Sequence, residues 1–593
     1  MSSTLFDFVI VGGGTAGLVV ASRLSENSAH RVLVLEAGSD HSDDPRVKTP
    51  AFYATLFQSD ADWGFKSEPQ PQLNGRSIGL HQGRALGGSS AINAQVFVPP
   101  GKHAIDAWEE SGNPGWNWQG LESYYARSHT LAGATQTTDG HSPLEQNFHS
   151  PIQLSLSGDP VHAIQEAWKG TFQAEGHYVS SDPWLDQPTG AFSSLATVDA
   201  STKERSYSTT AYYHPIKNRN NLQVLTDAVV ERIIFETEGS ATRATGVQYR
   251  YDDKIQTVTA AKEVIVAAGA LQSPKLLELS GVGNSEILSR NGIQVVKELP
   301  GVGENLQDHV VCPIGIQAVD ELETMDPLAR QEPDAIAHAM QQYATEQKGM
   351  LASSGMTTYA YVPITAELSQ DTTEALKKLL HQNQPKVGHA HGSLAADLHG
   401  FVTKTLTDST KPSGVFLSVL SQAGPTPVPG TWLTLVAYLP HPLSLGSVHI
   451  KSKQPLESPA IDPKYLSHPV DIEILAHQMR YLGHFAASSP FSKLLKQPLH
   501  YMDPAAEFAD IDDAKEYLRS NAISMWHYAG SCAMLPEEKG GVVDTRLKVH
   551  GINNLRIVDS SVVPIITTGN LQSTVYAIAE KAADLIKADY GEV

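Results

Sequence analysis

A glycine-rich turn between two apolar runs sets the fold class of this chain within its first forty residues. Residues 6–11 read FDFVIV, and they lead into residues 12–17, GGGTAG, which match the spacing G-x-G-x-x-G. Apolar residues then recur at helical spacing as far as Leu24, and a second apolar run over residues 31–35 ends on Glu36. Such glycines allow close approach of a pyrophosphate, a helix N terminus attracts that anion, and the acid can accept hydrogen bonds from a ribose. The segment predicts a dinucleotide-binding βαβ unit but leaves NAD and FAD equally open.

Length and charge narrow the class of protein further. With 593 residues the chain is too long for one compact core, so we expect two or more domains. The net charge of −21 argues against nucleic acid and anionic membranes as partners. The two cysteines, Cys312 and Cys532, form no disulfide or metal-binding pattern, and two free thiols are favoured over one long-range bridge.

The sequence also bears on where the protein resides. No signal-peptide pattern precedes the first predicted strand, and no apolar run approaches the roughly 20 residues needed to span a bilayer. The chain contains no N-x-[ST] sequon. These features predict an intracellular, cytoplasmic protein.

Strand and helix patterns concentrate in three separated blocks, residues 5–40, 222–303 and 555–587. The intervening residues 145–220 and 315–515 are richer in Pro, Gln, Ser and His. The simplest arrangement is a discontinuous nucleotide-binding domain, capped by a second domain that is built from the intervening segments.

Two further glycine clusters have a clear local structure. Residues 83–93, GRALGGSSAIN, form a loop of backbone donors and hydroxyls that suits close approach to a ligand, although a plain structural turn is an equal reading. In residues 269–283 a strand ends at glycine, and a helix is predicted to begin with Ser273 as N-cap and Pro274 as first residue.

A group of histidines, His389, His391 and His399, suggests a metal site at first sight. No further ligands follow at a matching spacing, so a solvated or packed role is favoured and no metal is predicted.

Several stretches resemble signature patterns of the glucose–methanol–choline (GMC) flavoprotein oxidoreductases. Among them, residues 300–309 resemble a G-x-N-L-x-D-H turn, and residues 524–534 resemble a W-H-x-x-G-[TS]-[CA]-x-M segment. The resemblance runs from residue 6 to about residue 587 in family order and is weakest across residues 315–500. The matching stretches are residues 83–93, 269–283, 300–309, 524–534 and 542–570.

The resemblance implies an α/β protein with a discontinuous Rossmann-like FAD-binding domain and an α+β substrate-binding domain that contains an antiparallel sheet. The implied boundaries are residues 1–150, 222–312 and 520–593 for the FAD-binding domain and residues 151–221 and 313–519 for the substrate-binding domain.

The resemblance also implies a set of residues that bind FAD. Three glycines of the first turn would hold the pyrophosphate, and Glu36 would bind the adenosine ribose. Val230 would contact the adenine through its backbone. Asp559 would contact the region between the ribityl chain and the pyrophosphate. Some choline-oxidising relatives bind FAD covalently through a histidine, where this chain has Ile92, so we expect non-covalent FAD. In the adjacent wall, Ala94 and Gln95 replace the usual Gly-Met pair. The complete implied set is Gly12, Gly14, Thr15, Ala16, Gly17, Glu36, Arg84, Gly88, Ser89, Asn93, Val230 and Asp559.

The catalytic pair implied by the resemblance is His527 as base and Asn570 as its partner. A neutral imidazole can take a hydroxyl proton, and an amide N–H can stabilise the oxygen during hydride transfer to FAD. We therefore expect an oxidase or dehydrogenase that acts on a small alcohol, with O2 or another acceptor, and we leave the oligomeric state open. The same fold leaves two alternatives open. One is a different reaction, namely that of a lyase or decarboxylase or a specialised biosynthetic oxidation. The other is a non-catalytic FAD-binding protein.

Overall fold

The computed structural model describes most of the chain. The described residues are 4–131, 151–157, 162–180, 183–184, 189–239, 241–385, 392–424 and 426–592.

The described chain contains two large sheets and twelve longer helices. The strands of the two large sheets are β1 Thr4–Val11, β2 Val32–Leu35, β3 Gly190–Ser193, β4 Leu222–Leu225, β5 Val229–Glu238, β6 Ala241–Tyr251, β7 Lys254–Val266, β8 Val310–Gln317, β9 Thr358–Val362, β10 Gly414–Val419, β11 Trp432–Tyr438, β12 Ile523–Ser524, β13 Ile552–Asn553 and β14 Leu555–Ile557. The longer helices are α1 Thr15–Leu24, α2 Lys102–Glu110, α3 Trp118–Ser128, α4 Ala163–Ala174, α5 Ser273–Leu279, α6 Ser285–Arg290, α7 Pro333–Glu346, α8 Gln370–Gln382, α9 Gly392–Thr407, α10 Pro469–Ala487, α11 Ile511–Asn521 and α12 Gln572–Asp589.

The first sheet joins the three blocks that the sequence separates. Its order is β4-β2-β1-β7-β6-β5, with β14 paired to β7 and β13 paired to β6. The pairs among β4, β2, β1, β7 and β14 are parallel, whereas β5, β6 and β7 pair antiparallel. Every residue of β2 is buried, as is typical of parallel strands that are covered on both faces.

The N-terminal and C-terminal helices pack together beside this sheet. Arg23 of α1 donates two hydrogen bonds of 2.8 Å to the carboxylate of Glu580 on α12, and Glu580 is fully buried. The Tyr212 hydroxyl donates to the same carboxylate at 2.9 Å. This bidentate ion pair connects the two helices through residues that lie 557 positions apart in the sequence.

The second sheet has the order β12-β8-β11-β10-β9-β3, and all of its pairs are antiparallel. The predicted fold class is therefore confirmed. The strand β12 belongs to this sheet, although the sequence boundaries placed it with the FAD-binding segments, because it pairs with the start of β8. The domain boundaries themselves stay a prediction.

Some local predictions need correction or fall outside the described residues. The N-cap of α5 is Gln272, and Ser273 is the first helical residue. The Ser273 hydroxyl donates to Asp559 and accepts from the Ala268 N–H instead of capping the helix. His389 and His391 lie outside the described residues, whereas His399 is buried with its Nε2 3.0 Å from the Leu380 carbonyl oxygen.

Both cysteines are buried free thiols, as expected. Among the described residues, no helix combines the length and the apolarity that crossing a membrane requires.

Candidate active site

A cavity of about 300 Å³ opens where the carboxyl ends of β1, β2 and β7 meet. Such crevices at the ends of parallel strands are the usual ligand sites of open α/β sheets. Apart from Gly17 and Arg84, every predicted site residue lines this cavity. The lining members are Gly12, Gly14, Thr15, Ala16, Glu36, Gly88, Ser89, Asn93, Val230, His527, Asp559 and Asn570.

The glycines of the first turn have different physical roles. Gly12 adopts a φ of +103°, and a Cβ there would lie 2.4 Å from the Ala267 carbonyl oxygen, so no other residue fits. A Cβ on Gly14 would meet only the Gly88 backbone, at 3.6 Å. A Cβ on Gly17 would lie 1.9 Å from the Gly12 carbonyl oxygen. Gly17 therefore allows the helix to pack against the turn, and its predicted contact with pyrophosphate stays a prediction.

The carboxylate of Glu36 is buried at the end of β2 and anchors the turn. It accepts hydrogen bonds from the backbone N–H groups of Gly13 at 2.7 Å and Gly38 at 2.8 Å. Burial raises the pKa of Glu36 to about 7, against the opposing effect of these N–H donors. Each oxygen keeps acceptor capacity for a ribose hydroxyl.

Arg84 is the second predicted residue that does not line the cavity. Its side chain is exposed, and its guanidinium lies 5.1 Å from the centre of the Trp63 ring, in a cation–π geometry. Trp63 lines the cavity instead, and the charge of Arg84 also acts on Glu36, whose pKa it lowers.

Asn93 is held firmly by a buried arginine that the sequence analysis missed. Its Oδ1 accepts from the backbone N–H of Gln95 at 3.0 Å and from Arg205 at 2.8 Å, and its amide donates to Gln572. Arg205 is buried and also donates to the Val47 carbonyl, and burial lowers its pKa to about 9. No local pattern marks Arg205, because its burial is decided by residues distant in sequence.

Asp559 joins the end of β14 to the start of α5. Its Oδ2 accepts from the Ser273 hydroxyl at 2.5 Å and from the Gly269 N–H at 2.9 Å, while its Oδ1 accepts from the Ser561 N–H at 2.8 Å. Burial raises its pKa despite these donors.

The backbone around His527 is held by a buried carboxylate. Asp308 Oδ1 accepts from the His527 N–H at 2.8 Å, and Asp308 Oδ2 accepts from the hydroxyls of Tyr465 and Ser524. The preceding residue, Trp526, has a φ of +60°, a left-handed conformation that a bulky side chain rarely adopts. Asp308 therefore belongs to the framework that positions His527, and the sequence analysis assigned it no role.

The imidazole of His527 contacts a second histidine. His309 Nδ1 and His527 Nδ1 are 2.8 Å apart, and His309 Nε2 lies 3.0 Å from the carbonyl oxygens of both Pro440 and Thr567. Burial, together with the neighbouring His309, holds the pKa of His527 well below its usual value. At neutral pH His527 is therefore an uncharged imidazole, the form that can accept a proton.

Asn570 faces the same cavity with a fixed orientation. The Tyr359 hydroxyl donates to Asn570 Oδ1 at 3.1 Å, and Tyr359 is fully buried. Because its oxygen is engaged by the protein, Asn570 offers its N–H groups to the cavity. Tyr359 lies 211 residues away in the chain, and no sequence signal points to this contact.

Models of one family match both the N-terminal and the C-terminal parts of the chain. Both are described as GMC oxidoreductase, and they match residues 6–311 and 442–579. The chain belongs to the GMC oxidoreductase family.

Related proteins share nearly the whole length of this GMC oxidoreductase. Dehydrogenase mpl7 of Monascus purpureus is 32% identical over 99% of this chain and 97% of its own. An FAD-dependent oxidoreductase from Chaetomium thermophilum is 26% identical, with a TM-score of 0.87 and 99% coverage of both chains. A fungal aryl-alcohol oxidase is 28% identical, with a TM-score of 0.85 and 99% coverage of both.

Family membership makes this chain an FAD oxidoreductase with a small-molecule substrate and an electron acceptor. The residues present fit FAD. Gly14 leaves open space against Gly88, the N terminus of α1 is directed at that space, and Glu36 is a buried acceptor beside it. These are the features that a dinucleotide pyrophosphate and ribose need.

Proposed function

We propose that this GMC oxidoreductase oxidises an alcohol to a carbonyl compound with non-covalently bound FAD. The observation that supports this most strongly is the shared cavity. A neutral imidazole at His527 and the amide N–H groups of Asn570 line the same space as the glycine turn and Glu36.

Bound FAD supplies the hydride acceptor for such an oxidation. The chain offers Ile92 where a covalently attached flavin would need a histidine, and a hydrocarbon side chain cannot form that bond. We therefore expect acid precipitation to release all FAD into the supernatant. Flavin that stays with the precipitated protein would overturn the non-covalent assignment.

The roles of the two polar residues follow from their hydrogen bonds. With bound FAD as the hydride acceptor, the hydroxyl proton of the alcohol would pass to His527 as the C–O bond becomes a carbonyl. Negative charge grows on the substrate oxygen as the proton leaves, and an Asn570 N–H stabilises it. The alcohol would lose two electrons and one proton as the hydride and a second proton to His527. Together these losses account for its oxidation to a carbonyl compound.

An anaerobic titration tests the proposal directly. Met356, Met525 and Trp526 supply apolar surface to the cavity, so the panel begins with aliphatic and aryl alcohols and continues to sugar and amino alcohols. We expect one class to bleach the flavin absorbance, and readmitted air then separates an oxidase from a dehydrogenase. If no alcohol bleaches the FAD-loaded protein, the proposal fails.

Removal of the base gives a second test. His527→Ala should slow flavin reduction by about 10²–10⁴-fold, because it removes the proposed base that takes the hydroxyl proton. Stopped-flow absorbance measures the rate, and FAD content should stay unchanged. His484→Ala is the matched control, since His484 is an exposed histidine of α10 outside the cavity. Equal reduction rates in the His527→Ala and control enzymes would contradict the assignment.

A further inference from the structure

We propose that His309 is a positioning residue that selects the tautomer of His527 in which Nδ1 carries the proton and Nε2 is free to accept one. The catalytic importance of this tautomer rests on the proposed alcohol oxidation. The geometry that carries it, however, consists of contacts within the protein alone.

The proton on His309 is located by its acceptors. Its Nε2 lies 3.0 Å from the carbonyl oxygens of Pro440 and Thr567, and a carbonyl oxygen can only accept. His309 Nε2 therefore carries a hydrogen. Burial lowers the pKa of His309 to about 4, so the ring holds one proton at neutral pH and its Nδ1 is a lone-pair acceptor.

The proton on His527 then follows. The two Nδ1 atoms are 2.8 Å apart, a hydrogen-bond distance that requires one hydrogen between them. Because His309 Nδ1 has none, His527 Nδ1 must donate. His527 is neutral, so its lone pair resides on Nε2, and within the described part of the chain no hydrogen bond reaches that atom.

The carbonyl pair thus acts on the reaction through two imidazoles. Pro440 precedes the buried His441, and Thr567 lies three residues before Asn570, so the acceptors come from two separate segments of the chain. Without His309 Nδ1, nothing in this network holds the proton on His527 Nδ1. The proton would then move to Nε2, and His527 would be unable to accept the substrate proton.

Two amide substitutions separate tautomer selection from packing. The amide of Asn reaches the position of a histidine Nδ1, so His309→Asn keeps an acceptor for His527 but loses the bonds to Pro440 and Thr567. The amide of Gln reaches the position of Nε2, so His309→Gln keeps those bonds but loses the acceptor. Gln is also closer to histidine in size, so a purely structural role predicts that His309→Gln is the milder change.

We expect the opposite order. His309→Asn should reduce its flavin within about tenfold of the wild-type rate, whereas His309→Gln should be slower by about 10²-fold or more, as for other bases held in the wrong tautomer. FAD content and the thermal midpoint verify that both variants fold. If FAD-loaded His309→Gln reduces as fast as His309→Asn or faster, the proposal is overturned.

A spectroscopic measurement makes the inference independent of turnover. In protein labelled with nitrogen-15 histidine, long-range proton–nitrogen spectra distinguish protonated from unprotonated ring nitrogens, and His527→Asn identifies the signals of His527. We expect a protonated Nδ1 and an unprotonated Nε2 in the wild-type holoenzyme, and the reverse in His309→Gln. A protonated Nε2 in the wild type overturns the proposal even if alcohol oxidation is confirmed. Failure of every alcohol to reduce the flavin would instead overturn the proposed function.

Discussion

Tyr359 determines which atoms Asn570 presents to the cavity. Its hydroxyl occupies Asn570 Oδ1 at 3.1 Å, so the amide N–H groups remain for the cavity. A carboxylate in place of the amide could not donate, and its charge would repel the oxygen that becomes negative.

Asn570→Asp should therefore slow flavin reduction by about 10²–10³-fold, the usual cost of one lost oxyanion donor. Tyr359→Phe is the matched comparison, since it keeps the amide and only frees it to rotate, and we expect a loss of about tenfold or less. Stopped-flow reduction at saturating alcohol measures both. The prediction is wrong if the two variants reduce at the same rate with full FAD content.

Gly14 offers a second residue-scale test, because the protein itself leaves room for a side chain there. A Cβ would touch only Gly88, at the ordinary distance of 3.6 Å, and would extend into the cavity. Gly14→Val should fold but purify without FAD, as judged by its absorbance. Gly400→Val on α9 is the control, since nothing lies within 4 Å of a Cβ there, and it should remain yellow. If Gly14→Val purified with bound FAD, the assignment of the pyrophosphate to this position would be wrong.

At the scale of elements, one histidine connects α5 to two strands of a smaller sheet. His449 ends the strand Gly446–His449, and its Nδ1 lies 2.7 Å from the buried Glu278 of α5. Its Nε2 lies 3.2 Å from Glu304 in the neighbouring strand. Burial opposes a charge on His449, but the two carboxylates outweigh that effect and raise its pKa to about 9.

This pair of contacts predicts a pH-dependent stability. A raised pKa in the folded state means that the contribution of His449 is complete below its unfolded pKa of about 6.5 and is lost as the pH rises through about 9. The shift corresponds to about 3 kcal/mol. The free energy of unfolding, measured in urea from pH 6 to 10, should fall more steeply in the wild type than in His449→Gln. Parallel curves for the two proteins would contradict the assignment.

At the scale of the whole molecule, the cavity gathers residues from every part of the chain. Gly14 comes from the N-terminal block, Val230 from the middle block, and Asp559 and Asn570 from the C-terminal block. A ligand that contacts all three can bind the folded state only, so it stabilises the whole molecule.

Removal of FAD should consequently lower the free energy of unfolding of the entire protein. At FAD concentrations about 100-fold above its Kd, the stabilisation should be about 2.7 kcal/mol. Thermal midpoints of the deflavinated protein with increasing FAD measure the effect, and Gly14→Val should show no dependence on FAD. A midpoint that FAD leaves unchanged in the wild type would contradict a cofactor site that joins the three blocks.

Much of the fold and part of the site follow from patterns in neighbouring residues. The βαβ unit with Glu36 could be predicted because spacing within a few residues dictates backbone geometry, and the family motifs name His527 and Asn570 directly. The cap of α5 differs by one residue from the prediction, because the Ser273 hydroxyl accepts from the Ala268 N–H and donates to Asp559, 286 residues later.

The sequence by itself thus determined the class of fold and the dinucleotide-binding unit, and its resemblance to the GMC family indicated FAD as the cofactor. Only the tertiary structure decided which neighbouring groups set the protonation state and the orientation of the side chains in the site. His309 lies 218 residues from His527, Tyr359 lies 211 residues from Asn570, and Arg205 lies 112 residues from Asn93. Such contacts leave no local pattern, because they depend on how separate segments pack around one buried cavity, where each polar atom needs a specific partner.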